Sequence, residues 1–291
     1  MIENLVYLYL LSPLHTGGTT QEGNLLGIAR ESHTELPYIP SSSIRGRLRA
    51  SMEPAEKTDI DAKLKQISLF GSEIDDQKNE ALVTAYKAKT NKDLNQLVQG
   101  TLWIGDGSIL WLPVPSLSHG VVWVSSPLLL QRWKRWQDSA QGLAMGVPEY
   151  STNLKNGKPV YLKDAILKDS DLQAWNNWQS FIPTNSTTAD IKQVLVLPDK
   201  HSATLIQMAL WRQVKIKLDE HKTVDGGFRY EEAIPPDTLM YFPWGITSQA
   251  NGKGNASKDD FENLLAQHEI LQIGGQESLG RGFVQTWLAS N

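Results

Sequence analysis

A short apolar run, Leu5-Val6-Tyr7-Leu8-Tyr9-Leu10-Leu11, constrains this chain more than any other feature, because a long polar loop comes directly after it. The run lacks a polar alternation and reads as a buried strand. The chain then spends about thirty residues on a polar, glycine-bearing loop, a length that is uncommon unless the loop is functional or disordered. The loop ends at Pro40-Ser41-Ser42-Ser43, which runs into Ile44-Arg45-Gly46-Arg47-Leu48-Arg49. That is a helix start. A serine can cap the first amides, and Ile44, Leu48 and Met52 recur at i, i+4 and i+8 on one apolar face. Arg45 and Arg49 share a different face. Arginines beside a helix N-terminus attract phosphate; an ordinary amphipathic helix with a solvated basic face has the same spacing.

Short strand signals with few helices make up most of the remainder. Residues 121–124, 194–197 and 239–242 read as strands, and 214–218 alternate apolar and basic, a strand with one wet face. Gly105-Asp106-Gly107 between apolar runs is a hairpin or bulge signal, with Pro113 and Pro115 ending that unit. Asn156-Gly157 predicts a β-hairpin over 154–161 with Lys155 and Lys158 flanking its turn, either a finger laid on a nucleic acid or a solvated loop. Asp225-Gly226-Gly227 predicts the turn that returns 214–218 into 228–232. Helices are predicted over 127–136, with proline in the first turn, and over 199–210 and 259–268. Residues 249–258, rich in Gly, Asn and Ser, read as a flexible loop. Segments 72–99 and 142–190 read as peripheral parts of a single domain spanning 1–291, the latter a thumb-like hairpin region. The mixture favours an α+β domain with a mostly antiparallel sheet.

Composition narrows the function. A net charge of -4 argues against coating nucleic acid through bulk charge, so any such contact needs a local basic patch. The absence of cysteine excludes disulfides and thiolate metal sites. No basic leader precedes the first apolar run, which is too short to span a bilayer, so a soluble cytoplasmic protein with no membrane partner is expected. Ten tryptophans suit core packing or stacking on bases.

The loop Gly274-Gly275-Gln276-Glu277-Ser278-Leu279-Gly280-Arg281-Gly282 invites a nucleotide-binding reading and fails it. Gly275 and Gly280 have P-loop spacing, but Arg281-Gly282 stands where Lys-Ser/Thr is needed. Nor is it G-x-G-x-x-G, and too little chain remains for a βαβ unit. The other possibilities are backbone free to approach a sugar-phosphate strand, with Arg281 at hand, or a tight turn between two strands. The six histidines have no zinc-site spacing, and no tightly bound cofactor is expected. His15 could serve acid–base chemistry or bond a loop carbonyl.

His15-Thr16-Gly17, the stretch from Arg30-Glu31-Ser32-His33 to Pro40, and Ser43-Ile44-Arg45-Gly46-Arg47-Leu48-Arg49 together resemble the start of the RAMP superfamily of CRISPR proteins. Tyr230-Glu231-Glu232, Ile234-Pro235-Pro236-Asp237-Thr238-Leu239 and the glycine loop extend the likeness in the same order. The chain looks most like the backbone-forming subunit of the type III-B (Cmr) effector complex. The resemblance implies a ferredoxin-like, RNA-recognition-type palm with long insertions. It implies several copies along one guide crRNA, with complementary target RNA and other type III effector subunits as partners. It implies that Gly17, Ser43, Arg45, Arg47, Arg49, Gly274, Gly275, Gly280, Arg281 and Gly282, with Lys155 and Lys158, hold sugar and phosphate.

In that family an aspartate between the positions of His15 and Arg30 cleaves target RNA. Here that loop has no aspartate. Leu25, or Asn24 with a one-residue shift, stands at the expected position, and Glu22 is the loop's one acid. Glu231 and Glu232 match family positions near the same cleft, whereas Ala233 departs from the family's tyrosine. The candidate catalytic residues are therefore His15, Glu22, Asn24, Glu231 and Glu232, with a divalent metal such as magnesium if cleavage occurs. The expectation is RNA binding with poor or absent cleavage; the alternative is an active endoribonuclease cutting target RNA at regular intervals.

Overall fold

The computed structural model describes residues 4–18, 21–22, 25–53, 59–137, 146–163, 165–250 and 254–289. The apolar run forms β1 (Asn4–Leu10), which lies in the middle of a large sheet. Its alternate residues serve two cores: Val6, Leu8 and Leu10 face one, Leu5, Tyr7 and Tyr9 the other. Burial on both faces is why the run carries no polar alternation.

The long loop contributes β2 (Gln21–Glu22) and β3 (Leu25–Leu26) and leads into α1 (Ser41–Ser51). Next are α2 (Ile60–Phe70), α3 (Glu80–Thr90), β4 (Leu102–Ile104), β5 (Ser108–Ser116), β6 (Gly120–Ser125) and α4 (Pro127–Gln137). Then come β7 (Ser151–Thr152), β8 (Val160–Leu162), β9 (Ala165–Leu167), β10 (Gln173–Ala174), β11 (Val194–Val196) and α5 (Asp199–Ala209). The chain closes with β12 (Trp211–Leu218), β13 (Val224–Ala233), β14 (Leu239–Ile246), α6 (Gly254–Gln267), β15 (Ile270–Gln272) and β16 (Phe283–Leu288).

Four strands form the centre in the order β5-β14-β1-β16, each antiparallel to its neighbour. With α1 between β1 and β5 in the chain, and α6 between β14 and β16, this is the βαββαβ unit of a ferredoxin-like palm. The fold is thus α+β with a large, mostly antiparallel sheet, as expected. Both helices lie on one face, where Ile44, Leu48, Phe261 and Leu264 pack with Val6, Leu8 and Phe242. The other face carries α4 and an aromatic layer of Trp111, Trp123, Trp133, Trp175 and Phe181. Trp133 donates to the Tyr7 hydroxyl at 3.1 Å, and burial raises the Tyr7 pKa. These tryptophans are core residues. Beyond β5 the sheet continues through β6, β11, β7 and β10, while β12 and β13 form a separate ribbon joined to β3 and β2.

Several local expectations are settled or corrected. Gly105-Asp106-Gly107 is a bulge, since β4 and β5 both pair with β14. Pro113 and Pro115 lie inside β5 rather than ending it, opposite Trp123 and Val121. Trp123 donates its amide to Gln193 on the far side, so proline there removes no bond to β6. Asn156-Gly157 is a bend whose amides donate to Asp169 at 3.2 and 2.8 Å; the hairpin is β8–β9. The turn of the ribbon is at 219–223, and Asp225-Gly226-Gly227 lies within β13. Segment 72–99 holds α3, whose Leu82 and Tyr86 pack on Leu64 and Ile67 of α2. α6 begins at Gly254, so part of the glycine-rich stretch is helical, and 251–253 lie outside the described residues.

No serine side chain caps α1. The amide of Ser41 instead donates to the Asp106 carboxylate at 2.7 Å, a cap supplied by the β4–β5 bulge. Asp106→Ala should lower unfolding free energy by about 1 kcal/mol, and Asp106→Asn by less, as measured in urea or thermal melts.

Candidate nucleic-acid interface

The N-terminal turns of α1 and the glycine loop between β15 and β16 meet. They line one open cleft of about 390 Å³ with the segment after β1. His15, Thr16 and Gly17 form one wall, Ser42, Ser43, Gly46 and Arg47 a second, and Gln272, Gly274 and Gly275 the third. Leu14 bridges Ile234, and Pro13 and His15 accept the amides of Gly282 and Gly275 at 2.9 and 3.0 Å, fixing the first wall to the third.

The glycines divide by what surrounds them. A Cβ at Gly274 would collide with the carbonyl oxygen of His15, and one at Gly282 with that of Ile273. Both also have positive φ, so these two glycines are required by the loop itself. Gly275 is different: its nearest neighbour is a His15 ring carbon at 3.7 Å, and the open side is the cleft. Gly17 and Gly280 have positive φ with empty space beside them.

Of the arginines on α1, Arg47 alone lines the cleft, and its Nε is buried without a hydrogen-bond partner. Arg45 and Arg49 share the opposite side, as their spacing requires. Arg45 donates to the carbonyl of Phe70, the last residue of α2. Arg49 pairs with Glu73 at 3.0 Å and lies 3.8 Å from Asp76. Both are engaged in holding α1 to the helices beside it.

Arg281, expected beside a sugar-phosphate backbone, is 3% exposed. It stacks on Trp211, donates to Glu231 at 2.9 Å and to Gln213 at 2.5 Å, and also reaches Gln276. Glu231 and Glu232, expected at the reacting centre, are the partners of cations at the root of the ribbon. Glu231 takes Arg281 and Lys215, the latter at 2.7 Å. Glu232 takes Arg30 at 2.7 Å and Arg212 at 2.9 Å. Burial raises the Glu231 pKa, but hydrogen bonds from Lys215 and Gln276 and the charges of Lys215 and Arg281 outweigh it, and the net shift is downward.

His15 is buried beside the cleft, and its Nδ1 donates to the carbonyl of Glu232 at 2.8 Å. A carbonyl only accepts, so Nδ1 carries the proton and a neutral ring keeps Nε2 as its acceptor. Glu22 lies in β2, where its backbone pairs with Leu25; Asn24 and the side chain of Glu22 are outside the described residues. Leu25 pairs with Tyr230. Lys155 donates to the carbonyl of Leu172 at 2.7 Å, Lys158 is exposed, and neither lines the cleft. Among the described residues no group of three or more His, Asp or Glu could hold a metal ion.

Sequence reasoning found the two strands of the ribbon but not what its faces would meet. Val214, Ile216, Leu218, Val224, Phe228 and Tyr230 share one of its faces, paired across the strands, and each is about half exposed. Lys215, Lys217 and Arg229 lie on the other face. Alternation over 214–218 was legible; that its apolar side would meet no core was not.

The RAMP superfamily model matches residues 7–285. The chain belongs to the RAMP superfamily. Within it, the CRISPR system Cmr endoribonuclease Cmr4 of Pyrococcus furiosus is 29% identical over 301 residues, covering 98% of this chain and 95% of that protein. The crystal structure of oligomeric Cmr4 from Pyrococcus furiosus matches with a TM-score of 0.65 at 24% identity, over 99% of this chain and 98% of that one. A chain of the type III-B Cmr-beta complex bound to cognate target RNA matches with a TM-score of 0.70 at 19% identity, over 98% of this chain and 96% of that one. Both structures share the fold described above.

Two variants separate loop construction from ligand approach. Gly282→Ala should destabilise the fold by roughly 1–3 kcal/mol through strain and collision, whereas Gly275→Ala should leave melting nearly unchanged. Acid titration tests Glu231. A carboxylate with a depressed folded pKa contributes stability above its unfolded value, and that contribution is lost as pH falls through the folded value. In urea melts, the stability difference between wild type and Glu231→Gln should therefore shrink as pH drops from neutral to about 3.

Proposed function

We propose that this chain is a crRNA-binding backbone subunit of a type III-B CRISPR ribonucleoprotein, positioning guide and target RNA. The observation that carries the reading is the convergence of Arg47, the α1 N-terminus and bare glycine backbone on one cleft. A helix N-terminus, a guanidinium and glycine backbone that leaves room for close approach suit sugar and phosphate, whereas sequence would be read by base pairing. The names of its relatives, which include a Cmr complex bound to cognate target RNA, support the same assignment. The half-exposed apolar face of the ribbon supports self-association along the guide, beside other effector subunits. The complex would work in the cytoplasm; no helix among the described residues is long and apolar enough to cross a membrane.

Cleavage is the second reading. The Pyrococcus furiosus relative is named an endoribonuclease, and His15 presents a fixed tautomer beside the cleft. Against it stand the missing loop aspartate and the engagement of Glu231 and Glu232 in ion pairs. We therefore assign binding as the main function and cleavage as weak or absent. Regular cuts of complementary RNA by the assembled complex with magnesium, abolished by His15→Ala or Glu22→Ala, would reverse that order.

Arg47→Ala should weaken binding of single-stranded RNA by roughly 1–3 kcal/mol and reduce the salt slope. Arg45→Ala should act on melting temperature instead. Fluorescence anisotropy over a salt series measures the first, and a thermal melt the second; unchanged affinity in Arg47→Ala refutes the assignment.

A further inference from the structure

We propose that a pocket beside α4 binds a single purine nucleotide, with its base against Trp136 and its phosphate on Arg135. The pocket, of about 540 Å³, lies between α4, the β4–β5 bulge and β14. It shares no lining residue with the cleft, and its size suits a ligand of nucleotide dimensions. On α4 the helical period sets Arg132, Arg135 and Trp136 on one side, at i, i+3 and i+4. All three line the pocket, while Leu129, Leu130 and Trp133 are buried. β4 brings Trp103, whose ring meets that of Trp136 at 6.2 Å and 37°. Tyr241 and Pro243 of β14 extend this apolar wall.

The chemistry of the lining names the ligand. Trp111, Trp123, Trp133 and Trp175 are buried in the aromatic layer, whereas Trp103 and Trp136 are half-buried and border the same opening. Indole surface left at an opening suits a flat ring, and every base has a π-face to stack on it. The two arginines differ in their partners. Arg132 is held: it donates to Glu31 at 2.8 and 3.0 Å and lies 3.0 Å from Nε2 of His33. Arg135, one turn further along the same side, has no hydrogen bond or ion pair among the described residues. Its guanidinium is the cation left for a phosphate. At the rim, one carboxylate oxygen of Asp106 holds the amide of Ser41 at 2.7 Å. The other oxygen is left to accept from an exocyclic amine, which adenine and guanine carry and uracil lacks. An apolar side chain of a partner protein would cover the indoles but leave Arg135 unpaired, so the lining favours the nucleotide.

Isothermal titration of the full chain with AMP, GMP, UMP, adenosine and ribose 5-phosphate tests the pocket. AMP and GMP should bind wild type at least about fivefold more tightly than the other three. Arg135→Ala should weaken AMP about tenfold and leave adenosine unchanged. Trp136→Ala should weaken AMP and adenosine together, by roughly 5- to 100-fold. Trp136→Phe keeps a ring to stack on and should retain most of the affinity, which guards against a variant that fails to fold. A strand of uridines with one central adenosine distinguishes the two sources of such a nucleotide. If the pocket takes a residue of an RNA strand, that adenosine tightens binding in wild type and not in Trp136→Ala; if it takes a free nucleotide, AMP binds and the adenosine gains nothing. Absence of both effects overturns the pocket, as does wild-type AMP affinity in Arg135→Ala and Trp136→Ala. Variants that bind AMP normally yet no longer join other effector subunits overturn it too, and make the face a protein contact. Arg47→Ala reports on the cleft alone. If it weakens binding of an all-uridine strand while AMP binds nowhere, the pocket fails and the RNA-binding reading of the cleft stands; if it binds that strand normally while AMP depends on Arg135 and Trp136, the pocket stands and that reading fails.

Discussion

Two adjacent carboxylates, Glu231 and Glu232, tie together the segments that make the cleft, and the arrangement depends on each finding cations. On a strand, neighbouring side chains point to opposite faces, so the pair reaches in two directions from one point. Glu231 takes Arg281 from the glycine loop and Lys215 from the ribbon. Glu232 takes Arg30 from the end of the long loop and Arg212 from the ribbon, and its carbonyl holds His15. Glu232 is 1% exposed, and a carboxylate so placed is costly unless paired and hydrogen-bonded. The pairing therefore fixes the relative position of three segments that are far apart in the chain. The two glutamates matched to a reacting centre by resemblance are ion-paired in the frame beside the cleft.

The arginines of α1 show how helical period sorts like residues into unlike roles. Arg45 and Arg49 are four apart and share the side that faces α2, where one meets a carbonyl and the other two carboxylates. Arg47, two residues from each, is carried round to the cleft. Charge count alone could not separate them. The carboxylates Glu73 and Asp76 that engage Arg49 come from the segment after α2, whose folding against α1 only tertiary contact establishes.

The ribbon β12–β13 sets a different kind of limit. A two-stranded ribbon cannot bury both faces by itself, and among the described residues its root is tied to the body through Glu231, Glu232 and Ala233 and through pairing of Tyr230 and Glu231 with β3. Its apolar face is left open along six residues while its basic face looks the other way. An exposed apolar stripe of that length marks a surface made for contact, and it sits well away from the tight packing of the palm.

The central strand, the helices at 44–52, 127–136 and 199–210, the α+β class and the two motifs that border the cleft are legible from the residues alone, because each is encoded by local periodicity or by glycine and proline chemistry. A doubly apolar run such as 5–11 has no stable place except between two layers. Residue spacing also fixed that Arg45 and Arg49 share a face. Tertiary structure alone decided which face that was, that Asp106 rather than a serine caps α1, and that Asn156-Gly157 bends over Asp169 instead of closing a hairpin. It alone decided that the apolar side of the alternating strand at 214–218 meets no core among the described residues. The reason is common to all of these. Each depends on a partner tens to hundreds of residues away, and local pattern says that a group needs a partner without saying which one the fold will bring.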